Sequence, residues 1–263
     1  MPNVRVFARI RFEEAARFVE CLDEACAELD AAPWLGGRVT GRRWPRSQVH
    51  LLAPVLPTKI VCVGLNYREH IAESTVVLSG AKPPDEPLLF LKPPSAVIGP
   101  GEAIRYPAGV TRLDPEAELA VVIGRRLRHA SLAEAREGIA GLTAFNDVSA
   151  RNYQRSDGQW TRAKGFDTFA PLGPVVVAGL PSEGRIVECR VNGALRQRGD
   201  TADLIVPVPS LIRHISRIMT LEPGDIIATG TPAGVAPVNV GDRIEVSVEG
   251  IGTLENPVME ELV

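Results

Sequence analysis

Two glutamates, two residues apart, head an apolar run in Leu113-Asp-Pro-Glu-Ala-Glu-Leu-Ala-Val-Val-Ile-Gly124. Leu119 to Ile123 reads as a buried β-strand closed by Gly124. Side chains at i and i+2 of a strand share a face, so Glu116 and Glu118 should point into one site. Their repulsion is costly unless a cation or a shared proton occupies the gap. A third carboxylate, Asp147, ends a second apolar segment, Leu142-Thr-Ala-Phe-Asn-Asp147. Three carboxylates with no nearby Cys or His form an oxygen-only ligand set. That set suits Mg²⁺ or Mn²⁺, with Ca²⁺ also compatible, and not zinc.

Other groups could do chemistry beside that cation. In Asn66-Tyr-Arg-Glu-His-Ile-Ala-Glu73, His70 and Glu73 sit three apart. On one or two helical turns they share a face, so the glutamate could orient the imidazole to activate water. By spacing alone, a solvated helix face fits them better. Lys164 lies in Ser156-Asp-Gly-Gln-Trp-Thr-Arg-Ala-Lys164-Gly-Phe-Asp-Thr-Phe169, a polar stretch carrying Trp160, Phe166 and Phe169. Three large aromatics in such a stretch imply packing, which could hold Lys164 near the metal, although a lysine in such a stretch is by itself more often a surface residue. Gly230-Thr-Pro-Ala-Gly234 reads as a tight turn without the Gly-Lys-Ser/Thr ending of a phosphate loop. The chain has no G-x-G-x-x-G before a helix and no G-x-S-x-G elbow, which leaves nucleotide binding and serine hydrolysis unsupported.

The elements that must position these groups are mostly strands. The 263 residues include 22 Pro and 24 Gly with few aromatics, which suits short strands joined by tight turns. Lys59 to Gly64, Leu88 to Lys92, Ile186 to Val191 and Arg243 to Glu249 read as strands. Pro93 ends the second, and Asn192-Gly193 signals a hairpin after the third. Ser131-Leu-Ala-Glu134 is a capping box opening a short helix, and Pro209 to Met219 forms another with Leu211, Ile212, Ile215 and Ile218 on one side.

Residues 1–56 read as a small N-terminal domain and 57–263 as the main one. Ala15, Phe18, Val19, Leu22, Cys26 and Leu29 predict an amphipathic helix over Phe12 to Leu29 in the first domain. A net charge of −3 offers no basic field for nucleic acid. No apolar run approaches a membrane span, and no signal peptide opens the chain, so a soluble cytoplasmic protein is expected. Cys21, Cys26, Cys62 and Cys189 show no metal or redox spacing and are expected to be reduced.

The order of segments resembles the fumarylacetoacetate hydrolase family. The resemblance is carried by Val61-Cys-Val-Gly-Leu-Asn-Tyr-Arg-Glu-His70, Leu89-Phe-Leu-Lys-Pro-Pro94, Asp114 to Gly124, Asn146-Asp-Val-Ser-Ala-Arg151, Gln159-Trp-Thr-Arg-Ala-Lys164, Asp167-Thr-Phe169 and Ala228-Thr-Gly-Thr-Pro-Ala-Gly-Val235. It implies a mixed, β-rich α+β fold: a β-sandwich roll with a small N-terminal appendage, acting as a homodimer with Mg²⁺ or Mn²⁺ and a small 2-oxo acid substrate. By the same resemblance Glu116, Glu118 and Asp147 match metal ligands and Lys164 a catalytic lysine. His70 and Glu73 match a catalytic pair on a lid. Gly230, Thr231, Arg151 and Gln154 match substrate-binding positions, Thr231 toward the substrate carboxylate.

The implied chemistry is cleavage of a C–C bond in a 2-oxo acid through a metal-stabilised enolate, by acylpyruvate-type hydrolysis or decarboxylation. Isomerisation of 2-hydroxydienedioates in aromatic catabolism is the alternative, and a non-catalytic member of the fold is a third reading. Three carboxylates against a divalent ion leave the site slightly negative, which Lys164 and the backbone N–H groups of the Gly230 turn would correct. This sequence departs from the family pattern at Pro115, at Asn152, at Ser74 with the 75–86 loop, and in the helix expected near its start.

Overall fold

The computed structural model describes residues 4–73 and 86–261; the side chains of Ala72 and Glu73 also fall outside it. The first 56 residues supply strands β1 (Arg5–Phe12), β2 (Ala15–Cys21), β3 (Ala25–Leu29), β4 (Val39–Pro45) and β5 (His50–Leu52). Next come β6 (Ile60–Gly64), helix α1 (Arg68–Glu73), β7 (Leu88–Lys92), β8 (Val97–Ile98), β9 (Ile104–Tyr106) and β10 (Leu113–Asp114). The centre of the chain holds β11 (Ala117–Ile123), α2 (Leu132–Glu137), β12 (Ile139–Asn146), β13 (Ser149–Ala150), α3 (Arg151–Ser156), α4 (Thr161–Lys164) and β14 (Ala170–Ala178). The last third adds β15 (Ile186–Val191), β16 (Ala194–Asp200), α5 (Val208–Ile218), β17 (Ile226–Ala228), β18 (Arg243–Val248) and β19 (Gly252–Glu260).

A large mixed sheet runs β4-β3-β2-β1-β14-β12-β11-β17-β6-β7, and a smaller one runs β16-β15-β18-β19-β9. Every residue of β11 is buried, because apolar layers cover both faces of the large sheet. Leu119, Val121 and Ile123 join one core layer with Val187, Cys189, Ile244 and Val246 of the smaller sheet. Ala120 and Val122 face the opposite layer with Ile60, Cys62 and Phe145. This is the expected β-rich sandwich, and strict alternation is what lets one strand serve two layers.

The helix expected over Phe12 to Leu29 is instead the hairpin β2–β3. Strand β1, Arg-Val-Phe-Ala-Arg-Ile-Arg-Phe, alternates and pairs with β2 from Val6↔Cys21 to Phe12↔Ala15. Glu13, at φ 52°, turns the chain between them. A second turn closes where Leu22 N–H donates to Ala25 O at 2.7 Å. Leu22, central to the supposed helical stripe, is an exposed turn residue. Helical spacing lost to a long-range partner: β1 offers β2 a full ladder and itself joins the large sheet through β14. The N-terminal segment is therefore β, and the departure expected there disappears.

Other local expectations match the structure. Ser131 and Glu134 form both bonds of the capping box. Asn192 (φ 51°) and Gly193 (φ 78°) make the turn between β15 and β16. On α5, Leu211, Ile212 and Ile215 are buried, but Ile218 at the last turn is 54% exposed rather than part of the packed face. All four cysteines are free thiols. No helix among the described residues is long and apolar enough to cross a membrane.

Candidate metal centre and active site

The antiparallel register of β11 and β12 assembles the carboxylates. Ala117 lies opposite Asn146, and Asp147 N–H donates to Glu116 O at 2.9 Å, so Asp147 follows β12 directly beside Glu116. Asn146 Oδ1 accepts from Glu116 N–H at 3.0 Å and fixes the chain just before β11. Glu116, Glu118 and Asp147 are all buried, with a ligand atom from each lying within 4.8 Å of the others.

Cations surround them. Lys164, on α4 and 2% exposed, donates to Glu116 Oε2 at 2.8 Å and to Asp147 Oδ2 at 2.6 Å. Arg151, at the start of α3, reaches Glu116 Oε1 at 2.5 Å, Asp114 Oδ2 at 2.8 Å and Gln154 Oε1 at 2.8 Å. Lys92, at the end of β7 and 1% exposed, donates to Asp147 Oδ1 at 2.5 Å and to Val148 O at 3.0 Å. Glu118 lacks such a partner among these cations and takes the backbone N–H of Gly230 at 2.8 Å.

These surroundings split the ionisation of the cluster. Burial opposes the charge on Glu116, but Lys164 and Arg151, with His70, outweigh it and hold this carboxyl well below its usual range. Burial and the negative charges of Asp147 and Glu116 push Glu118 well above it. Burial disfavours the Lys164 ammonium, yet Asp147 and Glu116 raise its pKa overall. For Lys92 burial wins over Asp147, and its pKa is lowered. Two lysines on one carboxylate are thus shifted in opposite directions.

A cavity opens on this cluster, lined by His70, Glu116, Glu118, Asp147, Arg151, Gln154, Lys164 and Thr231. Phe90 and Trp160 form an apolar wall, packed edge to face at 5.2 Å, and Lys164 Nζ sits 4.9 Å from the Phe90 ring centre. That explains one aromatic of the polar stretch. The others pack together, with Phe166 and Phe169 centroids 5.1 Å apart.

The conserved-domain profile described as fumarylacetoacetate (FAA) hydrolase, C-terminal, matches residues 59–259. This chain belongs to the fumarylacetoacetate hydrolase family. A profile described as Rv2993c-like, N-terminal, matches residues 7–54. Protein Rv2993c of Mycobacterium tuberculosis is 51% identical over 237 residues, covering 89% of this chain and 88% of that one. Oxaloacetate tautomerase FAHD2A of Bos taurus is 42% identical over 229 residues, covering 82% and 71%. Among solved structures, 2-hydroxyhepta-2,4-diene-1,7-dioate isomerase of Mycobacterium marinum shares 42% identity at a TM-score of 0.89, covering 98% and 99%. Maleylpyruvate hydrolase of Sphingobium sp. SYK-6, in complex with manganese (II) ion and pyruvate, shares 29% identity at a TM-score of 0.78, covering 98% and 100%.

The donor set fits the ion expected in this family. Three converging buried carboxylates, one of them held above its usual pKa by burial and by the charges of the other two, are what a divalent cation would relieve. Of the positions matched to the family, Glu73 ends α1 but its side chain lies outside the described residues, as do Ser74 and most of the loop after it. His70 is buried on α1 and lines the cavity. Pro115 is a buried link between β10 and Glu116. Asn152 braces the preceding loop through Gly109 O at 3.1 Å and Thr111 N at 3.3 Å.

Lys92, Asp114 and Asn146, which stand in the family's motifs without an expected site role, and Gln197, which stands in none, all reach the cluster or the chain that carries it. A lysine closing an apolar strand just before Pro-Pro was the available signal, since a charge there must find a partner. Gly230, at φ +103°, is demanded by the turn: a Cβ there would lie 2.8 Å from Asn66 Cβ. Gly230→Ala should cost about 1–3 kcal/mol of stability and displace the N–H that holds Glu118. Thermal denaturation with and without Mn²⁺ checks this, the variant showing a lower Tm and a smaller metal-induced rise.

Proposed function

We propose that this protein is a divalent-metal-dependent enzyme that moves a proton on the enol or dienol form of a 2-oxo dicarboxylic acid, as a tautomerase or isomerase. The observation that carries this reading is Lys164, a buried ammonium hydrogen-bonded to two of the three carboxylates of the metal cluster. It holds a proton at Nζ beside the place where a 2-oxo acid would bind. A divalent ion on Glu116, Glu118 and Asp147 would chelate the acid and stabilise negative charge developing on its keto oxygen.

Charge supports a dianionic substrate. The three carboxylates and the neighbouring Asp114 are matched in number by Lys92, Lys164, Arg151 and Arg112, so a divalent ion would add positive charge that a dicarboxylate would balance. Arg151 and Gln154 line the cavity with polar groups, while Phe90 and Trp160 line it with apolar surface. The oxaloacetate tautomerase and dienedioate isomerase named among the relatives act on dicarboxylic acids of this kind, at 42% identity each.

A second reading, hydrolysis of a C–C bond in an acylpyruvate-type substrate, is favoured by His70. Buried on α1 and lining the same cavity, it could deprotonate an attacking water. Purified protein loaded with Mg²⁺ or Mn²⁺ should accelerate the keto–enol conversion of oxaloacetate or the isomerisation of a 2-hydroxydienedioate, and lose that activity in EDTA. Turnover of acylpyruvates alone would move the assignment to the hydrolase, and metal-independent or absent turnover across the whole panel would sink both.

A further inference from the structure

Cys21 and Cys26 carry no redox spacing in the sequence, yet the hairpin of β2 and β3 sets them directly opposite one another. The chain turns over Asp23 and Glu24, and the bond that closes the turn runs from Leu22 N–H to Ala25 O. Backbone bonds of an antiparallel pair alternate, so the next pair along, Cys21 and Cys26, is a non-hydrogen-bonded one. Side chains of two strands approach most closely at such a pair, where Cα atoms lie about 4.5 Å apart, inside the span of about 4.4–6.8 Å that disulfides use. Both residues face the core layer, with Val6 of β1 beyond Cys21 and Trp44 of β4 beyond Cys26. The two thiols are hydrogen-bonded to each other.

The other two cysteines are placed differently. Cys62 lies opposite Ala228 and Phe90, and Cys189 opposite Val246 and Gln197, both fully buried. Within the pair, Cys26 is 1% exposed, while Cys21 is only half-buried and can be reached from solvent. One proton leaves the pair readily. The hydrogen bond from the Cys21 S–H, opposed by burial and helped by the charge of Arg46, lowers Cys26 to about 7, and the same bond, with burial and the charge of Cys26, raises Cys21. The pair therefore holds one shared proton near neutral pH, and a thiolate is the species that attacks a disulfide.

We infer that Cys21 and Cys26 form a site of reversible covalent modification, a dithiol that a low-molecular-weight disulfide oxidises to a cross-strand bond tying β2 to β3. The Cys21 sulfur attacks one sulfur of the oxidant, breaking its S–S bond, forming a mixed disulfide and releasing one small thiol. Cys26 then attacks the Cys21 sulfur and releases the second. Two protein thiols are oxidised to one disulfide, and the small disulfide is reduced to two thiols that carry away both protons. No residue of the metal cluster takes part, so the inference stands apart from the reaction assigned to that cluster.

The test is incubation of the folded, full-length protein with glutathione disulfide, followed by alkylation under denaturing conditions and mass spectrometry of fragments cut at Asp23 and Glu24. Wild type should lose two of its four alkylatable thiols and keep Cys62 and Cys189, with the fragments bearing Cys21 and Cys26 joined until dithiothreitol separates them. Cys26→Ala should stop at a mixed disulfide on Cys21, and Cys21→Ser should leave Cys26 open to alkylation. Four alkylatable thiols in treated wild type, a mixed disulfide on Cys21 that never resolves, a bridge between two chains, or a bridge formed only in urea would each overturn the inference. These outcomes are read on wild type, so they decide it even where a variant does not fold.

Discussion

Lys164→Met should lower turnover by about two to four orders of magnitude, the usual contribution of a positioned acid or base, while divalent-ion affinity stays the same or tightens. Nζ lies 2.8 Å from Glu116 Oε2 and 2.6 Å from Asp147 Oδ2, so the ammonium shares its carboxylate partners with any ion bound there. Removing it takes away a competing positive charge without removing a ligand. Methionine approximates the length of the lysine stem and keeps an apolar contact with Phe90, so collapse of the cavity is not the expected cause of the loss. Steady-state kinetics on the responsive substrate, paired with Mn²⁺ titration followed by electron paramagnetic resonance, reads both quantities. A parallel fall in metal affinity would show that Lys164 mainly scaffolds the ligands and that its proton is not the one transferred.

Glu118→Gln should show the reverse pattern, with metal affinity falling about a hundredfold or more through loss of a charged ligand while the metal-free protein is relieved of a buried repulsion. The sign of its pH dependence follows from linkage. Burial and the charges of Asp147 and Glu116 raise the pKa of Glu118 in the folded protein above the ordinary 4.5. Its contribution to stability is fully present below that ordinary value. As pH rises from there toward the raised value, the unfolded chain gives up the proton first, and metal-free stability falls. Glu116, held low chiefly by Lys164 and Arg151 against burial, contributes in the opposite sense and at lower pH. The comparison of wild type with Glu118→Gln in EDTA therefore isolates Glu118: the variant should lose the decline above the ordinary carboxyl range. Mn²⁺ should restore stability at neutral pH to wild type and hardly at all to the variant. Chemical denaturation across pH measures both, and identical pH profiles for the two proteins would show that Glu118 ionises freely.

Local chemistry made much of the site legible. Two glutamates at strand spacing, one of them in β11, and an aspartate closing a second apolar run needed only the period of a β-strand to be read as one cluster. The capping box of α2, the Asn192-Gly193 turn and the end of β7 at Pro93 were equally readable, because each depends on neighbours a few residues away. Ordered motifs gave the family, since their succession carries more information than any one spacing.

What the tertiary structure decided depends on partners far apart in the chain. Residues 12–29 carry a helical period, yet pairing with β1 makes them strands, because a complete ladder joined to β14 outweighs a local stripe. Lys92 became part of the site only when β7 brought it to Asp147, 55 positions on, and Gln197 only when the smaller sheet pressed against the Thr231 turn. Those two residues add to the site that sequence alone suggested: Lys92 brings a further amine to the carboxylate cluster, and Gln197 ties the Thr231 turn to the Ala117 backbone. The sequence by itself determined which carboxylates could hold an ion, through strand periodicity. Which cations balance them was decided by long-range packing, since charge in a buried site depends on every group that reaches it.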